Sequence, residues 1–148
     1  MDNLNLDDLA FSAKQNFNEH FGKMPTLYSQ APGRINIIGE HTDYTGGLSL
    51  PAAINCWTVG AWRLRNDEQI KIFSANMNEQ WETSWPELEN VTLESWKKYV
   101  AGSLLLFKES VGSGPLPGFD LSILGNIPLG KGLSSSAAIE IGMVNGAN

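Results

Sequence analysis

Cysteine is nearly absent. Cys56 stands alone among 148 residues, which excludes an internal disulfide and a cysteine-based zinc site. Lying in an apolar run between Ile54 and Trp57, it is expected as a buried structural thiol. Positive charge is also scarce: ten Lys and Arg oppose sixteen Asp and Glu for a net charge of −6, and no basic run occurs. A nucleic-acid footprint is therefore not expected. No apolar run approaches the length that crosses a bilayer, and the acidic, polar N-terminus lacks the basic and apolar regions of a secretory signal. The expectation is a cytoplasmic protein with neither nucleic acid nor membrane as a partner. What is present suits a folded domain, with 42% hydrophobic and 18% charged residues in a length typical of one domain.

Periodicity divides the chain. Leu6, Leu9, Ala10, Ala13, Phe17 and Phe21 recur at helical spacing, with Asn5 or Asp7 as a cap and Gly22 followed by Pro25 as a stop. His20, near the end of this helix, is expected to be merely solvated. Thr26–Gln30 and Ile35–Ile38 read as short strands on either side of Ala31-Pro32-Gly33. Trp57–Leu64 and Gln69–Ser74 read as strands joined across Asn66-Asp67. Asn76–Asn90 is polar, with Trp81 and Trp85 at strand-like spacing, and reads as an irregular edge. A helix is predicted over Glu94–Val111, with Trp96, Val100, Leu104 and Phe107 as its buried stripe and Glu94–Lys98 as a favourable i,i+4 pair. A strand over Phe119–Leu124 leads through Asn126-Ile127 into a glycine turn and a final helix. Strands first, then helix, strand and helix, make an α+β arrangement.

Two stretches concentrate the chemistry. In Pro128-Leu129-Gly130-Lys131-Gly132-Leu133-Ser134-Ser135-Ser136-Ala137, two glycines permit φ > 0 and close approach of a ligand, and a helix N-terminus follows. Unpaired N–H groups, the helix dipole and three hydroxyls make an anion cradle suited to a nucleotide's phosphates. It is not a Walker A loop, because no Gly-Lys-Ser/Thr triplet is present. The alternative is a flexible turn that precedes a helix. Upstream, Arg34, Glu40, His41 and Asp43 lie within ten residues, between a strand end and the turn Thr45-Gly46-Gly47. Loops held by a rigid strand are where binding groups tend to be placed. Metal binding is the competing idea for this cluster, but one histidine with two carboxylates suits zinc poorly.

Both stretches resemble known motifs. Ala31-Pro-Gly-Arg-Ile-Asn-Ile-Ile-Gly-Glu-His-Thr-Asp-Tyr-Thr-Gly-Gly-Leu-Ser-Leu-Pro-Ala-Ala-Ile54 closely resembles the galactokinase signature. The run Pro128–Ala137 is similar to the second motif of the wider superfamily that includes galactokinase, homoserine kinase, mevalonate kinase and phosphomevalonate kinase. Trp96-Lys97-Lys98-Tyr99-Val100 looks like the family's adenine-side helix. The resemblance covers nearly the whole chain but only the first part of a family member. Residues 1–148 thus read as the N-terminal sugar- and ATP-binding portion of a galactokinase, with the C-terminal part absent. The implied fold is the α+β N-terminal domain of the superfamily (ribosomal protein S5 domain 2-like), truncated, with a mixed sheet and helices on one face.

The implied reaction transfers the γ-phosphoryl group of ATP to the anomeric hydroxyl of α-D-galactose, a step that rests on positioning and charge neutralisation. By resemblance, Gly130, Gly132, Leu133, Ser134, Ser135 and Ser136 hold the phosphates, Ser136 also ligates Mg²⁺, and Trp96 borders the adenine. Lys131 is not counted as catalytic. Glu40, His41 and Asp43 match positions that hydrogen-bond sugar hydroxyls, where ionised acceptors make the strongest bonds. Arg34 matches the arginine near the reacting centre, where a fixed guanidinium stabilises charge on the phosphoryl group and depresses the pKa of a neighbouring carboxylate. An Arg34–Glu40 ion pair that only shapes the loop is its structural alternative, and plain core is that of Trp96 and Tyr99. The family's general base is an aspartate in a Cys-Gly-x-Met-Asp-Gln-type segment that these residues do not contain, and Asp43 is not promoted to that role. Two other readings stay open: an inert galactose- and ATP-binding regulator, and a kinase of a related sugar such as N-acetylgalactosamine.

Overall fold

The computed structural model describes residues 5–39, 45–112 and 114–147. Three helices and five strands follow one another as α1 (Leu6–Phe21), β1 (Leu27–Ile38), β2 (Leu50–Leu64), β3 (Gln69–Ser74), β4 (Glu79–Ser84), α2 (Trp96–Val111), β5 (Phe119–Gly125) and α3 (Ser135–Ala147), with a short 3-10 turn at Leu88–Asn90 before α2. The strands form one mixed sheet in the order β1-β2-β5-β3-β4. All neighbours are antiparallel except β3 and β5, which run parallel. A parallel pair needs a long crossover, here supplied by β4 and α2.

The α+β class and mixed sheet are those expected, and alternation along the central strands decides where each helix sits. On β2, Val59 and Ala61 face one way and join Leu9, Ala13 and Phe17 of α1 in one buried cluster. Trp62 faces the other way, with Phe119, Leu121 and Ile123 of β5, Ile70 and Ile72 of β3, Val100 and Leu104 of α2 and Met143 of α3. Thus α2 and α3 share one face, and α1 adds cover to the reverse. Both layers are close-packed. A Cβ on Gly146 of α3 would lie 2.3 Å from the Trp62 ring, so the helix rides directly on the indole. That indole in turn donates from Nε1 to Ser29 Oγ at 2.8 Å, which satisfies its buried N–H.

Local chemistry sets the ends of α1 as expected. Asn5 Oδ1 accepts from the Asp8 N–H at 2.9 Å, and Gly22 closes the helix at φ 63°. Other expectations are corrected. His20 is exposed but not merely solvated: its ring stacks on Phe73 at 4.1 Å, and Nε2 lies 2.6 Å from Gln80 Oε1. The two short strands flanking Pro32 are one strand, β1, and β2 begins at Leu50 rather than Trp57. The polar segment after β3 does form the sheet edge, but with a regular strand, because Trp81 faces the core and Lys71–Glu82 bridges β3 to β4 at 2.9 Å. Helix α2 starts at Trp96, after Ser95 at φ 57°, so Glu94 lies outside it and the i,i+4 geometry with Lys98 does not arise. Cys56 is half-buried against the small cluster of Ala31, Ile127 and Ala138 rather than fully enclosed. Among the described residues, no helix is long and apolar enough to cross a membrane.

Candidate active site

Strand β1 brings Arg34 to the site through an irregular ladder. Pro32 pairs with Trp57 but Arg34 pairs with Ala53, so residues 54–56 of β2 stand opposite Gly33 alone. Such a bulge bends the strand and re-aims its side chains. It also presses Gly33 against the glycine turn: a Cβ there would meet the Leu133 carbonyl oxygen at 2.9 Å, Ile54 Cδ1 at 3.2 Å and Ile127 Cδ1 at 3.3 Å. The Arg34 N–H donates to that same Leu133 carbonyl at 3.2 Å. A main-chain bond thus joins two motifs about a hundred residues apart.

The turn itself alternates in hand. Gly130, Gly132 and Ser134 have φ of 68°, 71° and 58°, whereas no positive φ occurs at Lys131 or Leu133. Alternating left- and right-handed residues converge successive N–H groups into an anion-binding concavity. Glycine meets this geometry without cost, but Ser134 is strained by it, the kind of strain that collects at functional sites. The Ser134 carbonyl accepts from the Ala138 N–H at 3.0 Å and so starts α3. The free N–H groups of the helix's first turn, with their partial positive charge, adjoin the concavity.

Depressions open on both sides of this turn. One is lined by Gly33, Arg34, Ala53, Ser134 and Ala137, with Pro51 and Ile141 at its margin. The other lies beyond the C-terminal ends of the parallel strands β3 and β5, the usual place for a ligand crevice in a sheet with a crossover. Its lining includes Asn76, Met77, Trp96, Gly125, Leu129 and Ser135. Ser134 therefore faces the first depression and Ser135 the second, while the half-buried Ser136 lines neither. Trp96 is 7% exposed and its Nε1 donates to Glu79 Oε2 at 3.1 Å, so the ring is core on one side and crevice wall on the other. Tyr99 is half-buried beneath Lys98, whose Nζ stands 5.0 Å from its ring, and is not part of the lining.

Arg34 and the turn are therefore brought together, and Trp96 joins the turn from the opposite side. Glu40, His41 and Asp43 lie outside the described residues. Asn76, Met77 and Thr58 were not anticipated from the sequence; a polar segment after a strand signals a loop and says nothing of what the loop closes. For Mg²⁺, the turn offers neutral hydroxyl oxygens, and no group of three His, Cys, Asp or Glu suited to a metal occurs among the described residues. That donor set fits an ion that arrives on a triphosphate, not a resident one.

Comparison with known proteins gives first the class. The description "GHMP kinases N terminal domain" matches residues 98–148, and the Methanococcus jannaschii mevalonate kinase shares the fold at a TM-score of 0.69 and 22% identity, over 80% of this chain and 38% of that one. Residues 98–148 thus match the GHMP-kinase N-terminal domain, and the fold as a whole is the one seen in that mevalonate kinase. Within the class, the "Galactokinase galactose-binding signature" matches residues 15–64. The galactokinase of Staphylococcus carnosus is 46% identical over 132 residues, 88% of this chain and 34% of that protein. The Lactococcus lactis galactokinase, solved in complex with galactose, superimposes at a TM-score of 0.76 with 39% identity, over 88% of this chain and 34% of that one. The chain is thus similar to galactokinases and spans about a third of the length of the relatives it matches.

Proposed function

We propose that these residues form the sugar- and ATP-binding portion of a galactokinase, which phosphorylates α-D-galactose at the anomeric hydroxyl to give galactose 1-phosphate and ADP. The observation that carries the reading is the Arg34 N–H to Leu133 carbonyl bond at 3.2 Å, which holds the galactokinase signature against the phosphate turn. The galactose seen in the Lactococcus lactis relative supports the choice of sugar. In this reading, Gly130, Gly132 and Leu133–Ser136 hold the phosphates, the crevice beside Trp96 takes the base, and Glu40, His41 and Asp43 bind the sugar. Arg34 stabilises the charge that spreads over the transferring phosphoryl group as the bond to the β-phosphate oxygen breaks and that to the anomeric oxygen forms. Bound Mg²⁺ would neutralise phosphate charge, with Ser136 as its protein ligand on rotation of its side chain, since the residue lines neither depression in this structure. The chain is placed in the cytoplasm.

The proton leaving the anomeric hydroxyl needs an acceptor, and the family's aspartate segment is not among these residues. The 148-residue polypeptide is accordingly expected to bind galactose in calorimetry, to lose that binding on Asp43→Ala, and to release ADP at no more than background. Ordinary turnover with galactose in a coupled ADP-release assay would overturn the expectation of inactivity, and equal binding of galactose and glucose would falsify the sugar-binding reading.

A further inference from the structure

At the crevice on the Trp96 side, one side chain bridges the ends of β3 and β5. Strands β3 and β5 pair in parallel up to Ser74 opposite Ile123, and the Ala75 N–H extends the ladder to the Ile123 carbonyl at 2.9 Å. Two residues on, the main chain of β3's exit no longer reaches β5. The Asn76 carboxamide takes its place: Nδ2 donates to the Gly125 carbonyl at 2.8 Å, and Oδ1 accepts from the Gly125 N–H at 2.7 Å. A carboxamide matches a peptide group in donor and acceptor, so both Gly125 groups are satisfied as a further ladder rung would satisfy them. The difference is length. The side chain stands between the two backbones, so residues 76–77 are held off β5 by its reach, and Asn76, Met77 and Gly125 all border the gap so made.

Resting on the nucleotide reading above, we infer that Asn76 is a positioning residue that sets the width of the base-side crevice without serving the phosphate turn. The turn's own geometry, three positive φ values and the Leu133 bond to β1, owes nothing to Asn76. Shortening the spacer lets residues 76–77 settle toward β5 and narrows the seat for a nucleobase, while a bare polyphosphate still meets an intact cradle. Asn76 is exposed, so its replacement leaves the hydrophobic core in place.

The test is a titration of the 148-residue chain with a fluorescent N-methylanthraniloyl ATP and, by competition, with inorganic tripolyphosphate, each with Mg²⁺. For Asn76→Ala, affinity for the nucleotide is expected to fall about tenfold, with tripolyphosphate affinity unchanged within about twofold. Equal losses for the two ligands, or none for either, overturn the inference while leaving the nucleotide reading intact. A wild-type chain that binds neither ligand overturns both. Should Asn76→Ala fail to fold by circular dichroism, Asn76→Asp retains the acceptor for the Gly125 N–H and sets its carboxylate against the Gly125 carbonyl. The ratio of the two affinities, in which the added charge largely cancels, is then the readout: a fall in the ratio supports the inference and a constant ratio overturns it.

Discussion

At the scale of single residues, contacts at the turn leave little tolerance. Gly33 has the Leu133 carbonyl oxygen where a Cβ would be, at 2.9 Å, and a main-chain atom cannot rotate away as the end of a side chain can. Gly33→Ala is expected to cost about 1–3 kcal/mol, the range for overpacked interiors, read as a lower denaturant midpoint with an unchanged slope. Charge gives a second prediction at this scale. Two bonds of 2.7 Å from the Arg65 guanidinium hold the Asp67 carboxyl at about 2, against an ordinary value of 3.8. The folded state therefore binds this proton less readily than the unfolded chain. The stabilisation is fully present above pH 3.8 and is lost as pH falls through about 2. Asp67→Asn should flatten the decline of Tm across that window, with little change in the slope at neutral pH.

Elements are held by interdigitation, and α1 is the clearest case. Among the described residues it is the helix that covers the reverse face of the sheet, through Leu9, Ala13 and Phe17, and Phe17 is fully buried. Phe17→Ala is expected to remove about 3–5 kcal/mol in chemical denaturation, because the sheet beneath α1 cannot collapse to fill the space. Helix α3 has a different vulnerability. Its Gly146 accepts the Trp62 ring where any other residue would place a Cβ 2.3 Å away, so Gly146→Ala must lift the helix or turn the indole. Turning the indole breaks the Trp62–Ser29 bond, and lifting the helix uncovers the ring, so either change should register as a shift in near-ultraviolet circular dichroism alongside a lower Tm. A loss of stability without that spectral change would argue against this packing.

For the molecule as a whole, the apolar edge of the sheet at β1 is expected to set behaviour in solution. Ile37 and Ile38 are 63% and 69% exposed on this edge strand, with Leu50 and Ile141 exposed nearby. An edge strand with free hydrogen-bonding groups and apolar side chains is prone to pair with further chains. The 148-residue polypeptide is expected to self-associate with rising concentration in light scattering, and Ile37→Lys to reduce that association without lowering the free energy of unfolding by more than about 0.5 kcal/mol. An equally aggregating Ile37→Lys variant would place the sticky surface elsewhere.

Much of this protein was legible in the residue order because the relevant rules are local. Helical spacing from Leu6 to Phe21, with Asn5 before and Gly22 after, defines α1 whatever it packs on, and glycines at 130 and 132 announce a turn that needs left-handed φ. The charged stretch around Arg34 and the run of serines after the glycines likewise stand out from composition alone. Only tertiary structure decided which of these features meet. Hydrophobic alternation says that Val59 and Trp62 face opposite ways, but not that α1 takes one side and α3 the other. Nor does any local rule predict that Gly33 abuts Leu133, or that Asn76 completes a ladder with Gly125. Those contacts join residues far apart in the chain, and long-range partners are selected by the shape and polar complementarity of the whole fold, which no short window of sequence contains.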